Sequence, residues 1–358
     1  MKFRKHLQNI FKSIAQKIFF LLYGKIKIDK LLNVVGFQKF NLGRKKNIYQ
    51  ISNGRVYTDL VEHVAVIKNN TIIPNISYQQ VGGELKPLNF NKTLISGTPR
   101  IIKKFNGKTV TLVQGASGNN YFHFLFDIIP KLILCEKYIS LQNVNFFYLP
   151  GELNWQKKIL SAFGIPEKKI INSQKYRHIK SDIILGLDHP WYTKGFVHDE
   201  FENSPEWIIE SLRVKFLKYS KKFDCSEKIF LDRSDSKFNH CKIINNSEII
   251  TYLSKKGFKT YQLSKLDFFE QIYLFNNAKI IIGAHGAGFS NIVFSNPGTK
   301  ILEIIPKTHP RIIYKKISNT LNLSYSKIIS EPVSKHERNL GDLKIQTEEL
   351  ERYHKDLI

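Results

Sequence analysis

The sequence predicts an α/β protein made of two Rossmann-like domains facing a cleft, with a β-meander in its N-terminal part. Three observations carry that prediction. In both halves, short β-branched and aromatic runs alternate with helical patterns of about ten residues, as in parallel strands joined by crossover helices. Residues 188–204, with Pro190, Gly195 and several acids, are the least periodic stretch and read as a linker. The apolar run Lys279–Ile282 passes directly into Gly283-Ala284-His285-Gly286-Ala287-Gly288 and then into a helical pattern from Phe289. Such a strand–turn–helix junction exposes backbone N–H groups and the positive end of a helix dipole, which suits a phosphate.

The elements follow in order. Residues 1–45 form a basic leader in which Phe11, Ile14, Ile18 and Leu21/Leu22 recur at helical spacing among Lys2, Arg4, Lys5, Lys12 and Lys17. An amphipathic helix of this kind either lies on an anionic membrane or packs on the first domain. Its apolar run Ile18–Tyr23 is too short to span a bilayer, and no small-residue cleavage site marks a signal peptide. The first domain, 46–204, opens with the meander: Arg55–Thr58, Val64–Ile67, a turn at Asn69-Asn70, then Thr71–Ile73. Thr109–Val113 ends at a turn in Gly115–Gly118. A helix runs from Tyr121 to Tyr138 with a kink expected at Pro130. Strand Phe146–Leu149 stops at Pro150, and helix Trp155–Phe163 and strand Ile183–Leu185 follow.

The second domain, 205–330, starts with Pro205 ahead of a helix over 206–219. Strand Lys228–Leu231, helix 247–256 and strand Lys259–Leu263 come next. The following helix opens at Asp267-Phe268-Phe269-Glu270, a capping-box spacing. Strand Ile280–Ile282, the glycine turn with its helix, strand Ile301–Ile305 and helix Arg311–Leu321 complete the domain. A tail, 331–358, places Leu350, Tyr353 and Leu357 on one helical face that packs back on the body.

Composition narrows the partners. Lys and Arg outnumber Asp and Glu by 55 to 30, for a net charge of +25, which favours phosphorylated substrates, polyanions or anionic lipid. The excess is spread along the chain, and no zinc-finger spacing or RNA-recognition signature occurs, so nucleic acid is not the expected partner. Three cysteines, Cys135, Cys225 and Cys241, without C-x-x-C spacing argue against a disulfide framework or structural zinc. They fit a reducing, cytoplasmic compartment.

Four constellations can carry chemistry. His123 and Asp127 stand at i and i+4 in an aromatic helix, either as an acid–base pair or as a buried hydrogen bond that locks the helix. Arg233, at the end of strand Lys228–Leu231, can fork onto a phosphate or pair with Asp235 or Glu227. Lys242, Asn245 and Glu248 surround the next helix start, where capping is the simplest role for the last two. The fourth is the turn His285-Gly286-Ala287-Gly288, a phosphate cradle or simply a tight connection. Glu303 ends the strand after it, where an acid can hold two ribose hydroxyls or a salt bridge.

The blocks Asn120-Tyr121-Phe122-His123-Phe124-Leu125-Phe126-Asp127, Leu231-Asp232-Arg233, Asn245-x-x-Glu248, Phe269-Glu270-Gln271-x-x-Leu274-Phe275-x-x-Ala278 and Gly283-Ala284-His285-Gly286-Ala287-Gly288-Phe289-x-Asn291 together resemble glycosyltransferase family 61. That family includes capsular-polysaccharide biosynthesis proteins. The resemblance covers roughly residues 50–330. Phe124 stands where a tryptophan is usual, and Cys241-Lys242 replace a pair of basic residues.

The resemblance implies a GT-B fold and inverting, metal-independent transfer from a nucleotide sugar to a glycan or lipid-linked glycan, with no cofactor. The donor would lie in the C-terminal domain on Arg233, Lys242, His285, Gly286, Ala287, Gly288, Asn291 and Glu303. The acceptor side would hold Asn120 and Tyr121, with Asp127 as the preferred base and His123 orienting it. Asp232-Arg233-Ser234-Asp235 lacks the Asp-x-Asp spacing of metal-binding transferases, in line with metal-free chemistry. A peripheral position on the inner membrane face, through residues 1–27, matches the basic charge. The rival readings are a nucleotide-sugar epimerase on the same fold and a non-catalytic sugar-nucleotide or polysaccharide-binding protein.

Overall fold

A computed structural model describes the chain apart from residues 1, 29–35, 42–45, 59–62, 114–119, 237–239, 310–312, 336–339 and 358, and apart from the side chains of 2–9, 11, 12, 37, 198 and 354–357. The turn expected at Gly115–Gly118, the helix start at Arg311 and the leader side chains Lys2, Arg4, Lys5, Phe11 and Lys12 lie outside the described residues. So does the side chain of Leu357. The chain divides into two compact units, Met1–Ser204 and Pro205–Ile358.

The N-terminal unit is built on a mixed sheet of twelve strands. Its long central strand, His178–Leu187, runs parallel to Lys103–Thr111, beyond which Phe146–Leu149 and Ile170–Asn172 continue in parallel. On its other side it is antiparallel to Asn47–Ser52 and Arg55–Tyr57. From there the meander Arg55–Tyr57, His63–Lys68 and Thr71–Ile72 pairs strand by strand. Asn69 and Asn70 make its turn at positive φ, a conformation that asparagine tolerates. Ile51, Val56, Val66, Tyr148 and Ile184 fill the core of this unit.

The helix Tyr121–Glu136 widens into a π-helical turn at Phe124–Ile128. Pro130 has no N–H, so the Phe126 carbonyl four residues earlier loses its regular partner. The Trp191 indole N–H takes that carbonyl at 3.1 Å. The expected kink at Pro130 is therefore a broadened turn just before it. Residues 188–204 are not the linker that their irregular pattern suggested. Trp191, Tyr192, Val197 and Phe201 are buried, residues Val197–Glu202 are helical, and Phe201 meets the rings of Phe122, Phe126 and Trp191 at 4.9 to 5.3 Å.

The C-terminal unit holds five parallel strands: β1 (Lys228–Leu231), β2 (Lys259–Tyr261), β3 (Ile280–Ala284), β4 (Lys300–Pro306) and β5 (Ser324–Ser330). Their order in the sheet is β2-β1-β3-β4-β5, so the winding direction reverses between β1 and β3. In open α/β sheets that switch point, at the carboxyl ends of the strands, is where ligands bind. The sequence pattern had not revealed β5. The capping box expected at Asp267 is present: its carboxylate accepts the Phe269 and Glu270 N–H groups, and Glu270 accepts the Asp267 N–H.

Two other expectations change. Asn245 sits at the start of helix Asn246–Lys255 without capping it. Its amide instead accepts from the Ile345 N–H and donates to the Ile345 carbonyl, fastening the tail. Leu343, Ile345 and Leu350 consequently join the core around Phe230, Ile282 and Leu302. After the glycine turn, residues Ala287–Phe294 form a 3-10 coil rather than an α-helix.

Candidate active site

Two clusters of functional groups emerge, one within each unit. In the C-terminal unit, Arg233 follows β1 and the turn 285–288 follows β3, so both stand at the switch point. Arg233 Nη1 donates to the His285 carbonyl, and Nη2 donates to His240 Nδ1 at 3.2 Å. Its buried Nε has no hydrogen-bond partner among the described residues. Gly286 is a glycine because a Cβ there would coincide with the Arg233 guanidinium. The glycine thus admits an arginine first, and a phosphate only through it.

The turn is pinned from behind. Tyr314 Oη donates to the Gly286 carbonyl at 2.7 Å, which also accepts the Phe289 N–H at 3.0 Å. In a trans peptide, C=O and N–H point to opposite sides. Holding the carbonyls of His285 and Gly286 therefore turns the N–H groups of Gly286 and Ala287 the other way, as an anion cradle requires. His285 Nδ1 donates to Glu303 Oε1 at 2.5 Å, and Tyr325 Oη donates to Glu303 Oε2 at 2.6 Å. Glu303 is 0% exposed, so it orients His285 and is not displayed to a ribose. Asn291 is also fully buried and donates to Gln271. It ties the coil to helix Phe268–Asn277 instead of facing a donor.

Beside Arg233 lies a cavity of about 110 Å³ lined by Asp232, Ser234, Lys242 and Asn246. Burial disfavours the charge on Asp232, but hydrogen bonds from Ser234, Gln262 and Asn246 outweigh that and hold its carboxyl below the usual range. Lys242 adds a cation to this wall, its backbone N–H held by Asp342 at 3.0 Å.

In the N-terminal unit, His123 Nδ1 and Asp127 Oδ2 are 2.8 Å apart across one turn. Asp127 is 2% exposed and His123 8%. His189 Nε2 lies 3.8 Å from the same carboxylate oxygen. His189 Nδ1 accepts the N–H groups of Trp191 and Tyr192, which leaves the ring proton on Nε2, facing Asp127. Burial penalises the Asp127 charge, yet the two histidines outweigh it and hold the carboxyl far below its ordinary range. A carboxylate held so low is better suited to orienting a histidine than to accepting a proton. Asn120 caps the helix by accepting the His123 N–H at 3.3 Å, and Tyr121 stacks edge-on to Trp155.

Three participants escaped the sequence reading. Lys131, one turn beyond Asp127, is 5% exposed, and burial lowers its pKa to about 8 against the pull of Asp127 and Asp188. His189 and Trp191 lay in the supposed linker. The run Asp188-His189-Pro190-Trp191-Tyr192 was the available signal, since a loop so rich in aromatic and titratable groups is rarely a plain spacer.

A stretch of 59 residues is 41% identical to a β-1,2-xylosyltransferase of Oryza sativa subsp. japonica, covering 16% of this chain and 11% of that protein. The matched stretch is thus a small part of the relative. The model of the family Glycosyltransferase 61 matches residues 121–302, just over half of the chain, a span that includes His123, Asp127, His189, Arg233, Lys242 and His285 and stops before Glu303. The chain belongs to glycosyltransferase family 61.

Proposed function

We propose that the protein is a glycosyltransferase that moves a sugar from a nucleotide-sugar donor to a glycan acceptor, with inversion and without an essential metal. The observation that carries this reading is the joint position of Arg233, His285 and the glycine turn at the switch point of the parallel sheet, in a chain of this family. Arg233, Lys242 and His285 neutralise the charge that develops on the departing diphosphate, and such electrostatic stabilisation often contributes more to catalysis than any other effect. The acceptor hydroxyl oxygen forms the new bond to the anomeric carbon while the carbon–oxygen bond to the diphosphate breaks. His123 takes the hydroxyl proton, and Asp127 holds the imidazole and stabilises its charged form. The two-domain GT-B reading assigns the donor to the C-terminal unit and the base to the N-terminal one, with Asn120 and Tyr121 on the acceptor side. The acceptor is a capsule-type or other surface glycan, free or lipid-linked, extended in the cytoplasm at the inner face of the cell membrane.

Separate measurements of donor binding and turnover test the assignment. His123→Ala is expected to reduce transfer by about 10²- to 10⁴-fold while calorimetric affinity for a nucleoside diphosphate stays unchanged. Arg233→Ala is expected to weaken that affinity. Turnover should survive a chelator, and NMR of the product should show inverted anomeric configuration. Full turnover in His123→Ala would remove the proposed base; unchanged affinity in Arg233→Ala would remove the donor site. Conversion of the donor without any acceptor would favour an epimerase.

A further inference from the structure

The tail of the chain reaches the donor cluster. Arg233 follows β1, and the loop 240–245 comes back beside it. His240 accepts from the arginine at 3.2 Å. Lys242 and Ile243 line the cavity next to Arg233 together with Asn246, the first residue of the following helix. Between His240 and Lys242, Cys241 is buried and has φ +51°, a left-handed conformation that is costly for a residue with a Cβ. Such a backbone persists only where its surroundings hold it. Here the holding groups belong to the tail.

Residues 340–345 run alongside the loop, with Leu343 bridged in parallel to Ile243. The Leu340 carbonyl accepts the Cys241 N–H at 3.0 Å, the Leu343 N–H donates to the Lys242 carbonyl at 2.7 Å, and the Leu343 carbonyl accepts the Ile244 N–H at 2.9 Å. One bond in this strip comes from a side chain: Asp342 Oδ1 accepts the Lys242 N–H at 3.0 Å. Two consecutive tail residues thus hold Lys242 at both its N–H and its carbonyl. Asp342 is itself fixed, its N–H donating to Ser334 Oγ at 2.8 Å and its carbonyl accepting the Val333 N–H at 2.8 Å. Beside it, Gly341 approaches residue 334 so closely that a Cβ would come within 2.0 Å of the Ser334 carbonyl oxygen. Leu343 and Ile345, both fully buried, anchor the strip in the core of the unit.

We propose that Asp342 is a positioning residue of the donor site, which holds the Lys242 backbone so that the lysine forms the cavity wall beside Arg233. The inference rests on the donor-site reading given above. It adds to that site a tail segment outside the span 121–302 that the family model matches. Electrostatics alone would give Asp342 the opposite effect. A carboxylate close to a diphosphate repels it, so removing a mere bystander strengthens anion binding. Affinity lost on removing Asp342 therefore reports the hydrogen bond to Lys242, and the sign separates positioning from proximity. What the clamp needs is an acceptor oxygen rather than a charge, and the side-chain carbonyl of asparagine supplies one.

Calorimetry of the full chain with uridine and guanosine diphosphate tests it, the tighter of the two serving as probe. Lys242→Ala is expected to lower affinity by about tenfold or more. Asp342→Ala should lower it by about three- to tenfold, whereas Asp342→Asn should bind at least as tightly as wild type. In the Lys242→Ala background, Asp342→Ala should cost nothing further, because both changes remove one interaction. Thermal melting checks the fold of each variant. Ser334→Ala, which frees the Asp342 backbone without touching Lys242, should give a smaller loss of the same sign and replaces Asp342→Ala where that variant does not fold. Affinity unchanged or raised in Asp342→Ala, an equal loss in Asp342→Asn, or full additivity with Lys242→Ala overturns the proposal. Unchanged affinity in Lys242→Ala beside a loss in Arg233→Ala overturns it and leaves the donor site standing. Unchanged affinity in both removes the donor site as well.

Discussion

Gly286 shows how one residue without a side chain organises the donor cluster. Its missing Cβ is the space that the Arg233 guanidinium fills, and the same guanidinium holds the His285 carbonyl. Gly286→Ala is therefore expected to expel Arg233 and weaken nucleoside-diphosphate affinity about as much as Arg233→Ala does. The two changes remove one interaction, so the double variant should lose little more than either single one, a non-additivity that calorimetry reads directly. Full additivity would mean that glycine and arginine act independently. At this scale the motif residues His123, Asp127, Arg233 and His285 were legible, because polar groups in apolar or glycine-rich contexts stand out. Glu303 and Asn291 were legible as residues but not in their roles. Only the fold reveals that Glu303 is spent on His285 and Tyr325, and Asn291 on Gln271.

Elements were legible where their pattern matched a regular period. Phe146–Leu149 and Lys228–Leu231 have the bounds that the sequence predicts. The strand His178–Leu187 showed only its apolar centre, because its first half carries polar side chains with distant partners. Ser181 Oγ meets Thr109 Oγ1 at 2.7 Å, and Asp182 accepts the Gly107 N–H at 2.7 Å. β5 was missed because Ser324, Ser326, Lys327 and Ser330 leave it only a short apolar run. The helix Tyr121–Glu136 shows what a proline does when the fold compensates for it. Trp191→Phe keeps an aromatic ring but removes the indole N–H from the Phe126 carbonyl, at a cost of about 1–3 kcal/mol in denaturant unfolding. The same change should loosen the loop that presents His189 to Asp127. An unfolding midpoint equal to wild type would show that another donor reaches this carbonyl.

Across the whole molecule, burial sets the response to acid. Desolvation pushes His178 and His189 down to about 4 despite hydrogen bonds that favour their charged forms. Unfolded, both titrate near 6.5, so between about pH 6.5 and 4 the unfolded chain binds protons that the folded chain refuses. Their stabilisation is complete above about pH 6.5 and is lost as the pH falls towards 4, by about 3 kcal/mol for each. Denaturant unfolding across that range should show the loss, and His178→Phe with His189→Gln should flatten it; an unchanged slope would mean that other groups control acid stability. The α/β class, the glycine turn with its strand, the His123–Asp127 pair and the basic balance are legible in the chain alone, because each is written in local spacing or composition. The fold alone brings Lys131 and His189 to Asp127, sets Trp191 on the Phe126 carbonyl, and seats Arg233 in the space that Gly286 leaves. These arrangements depend on strand order and on contacts between residues far apart in the chain, which no local pattern encodes.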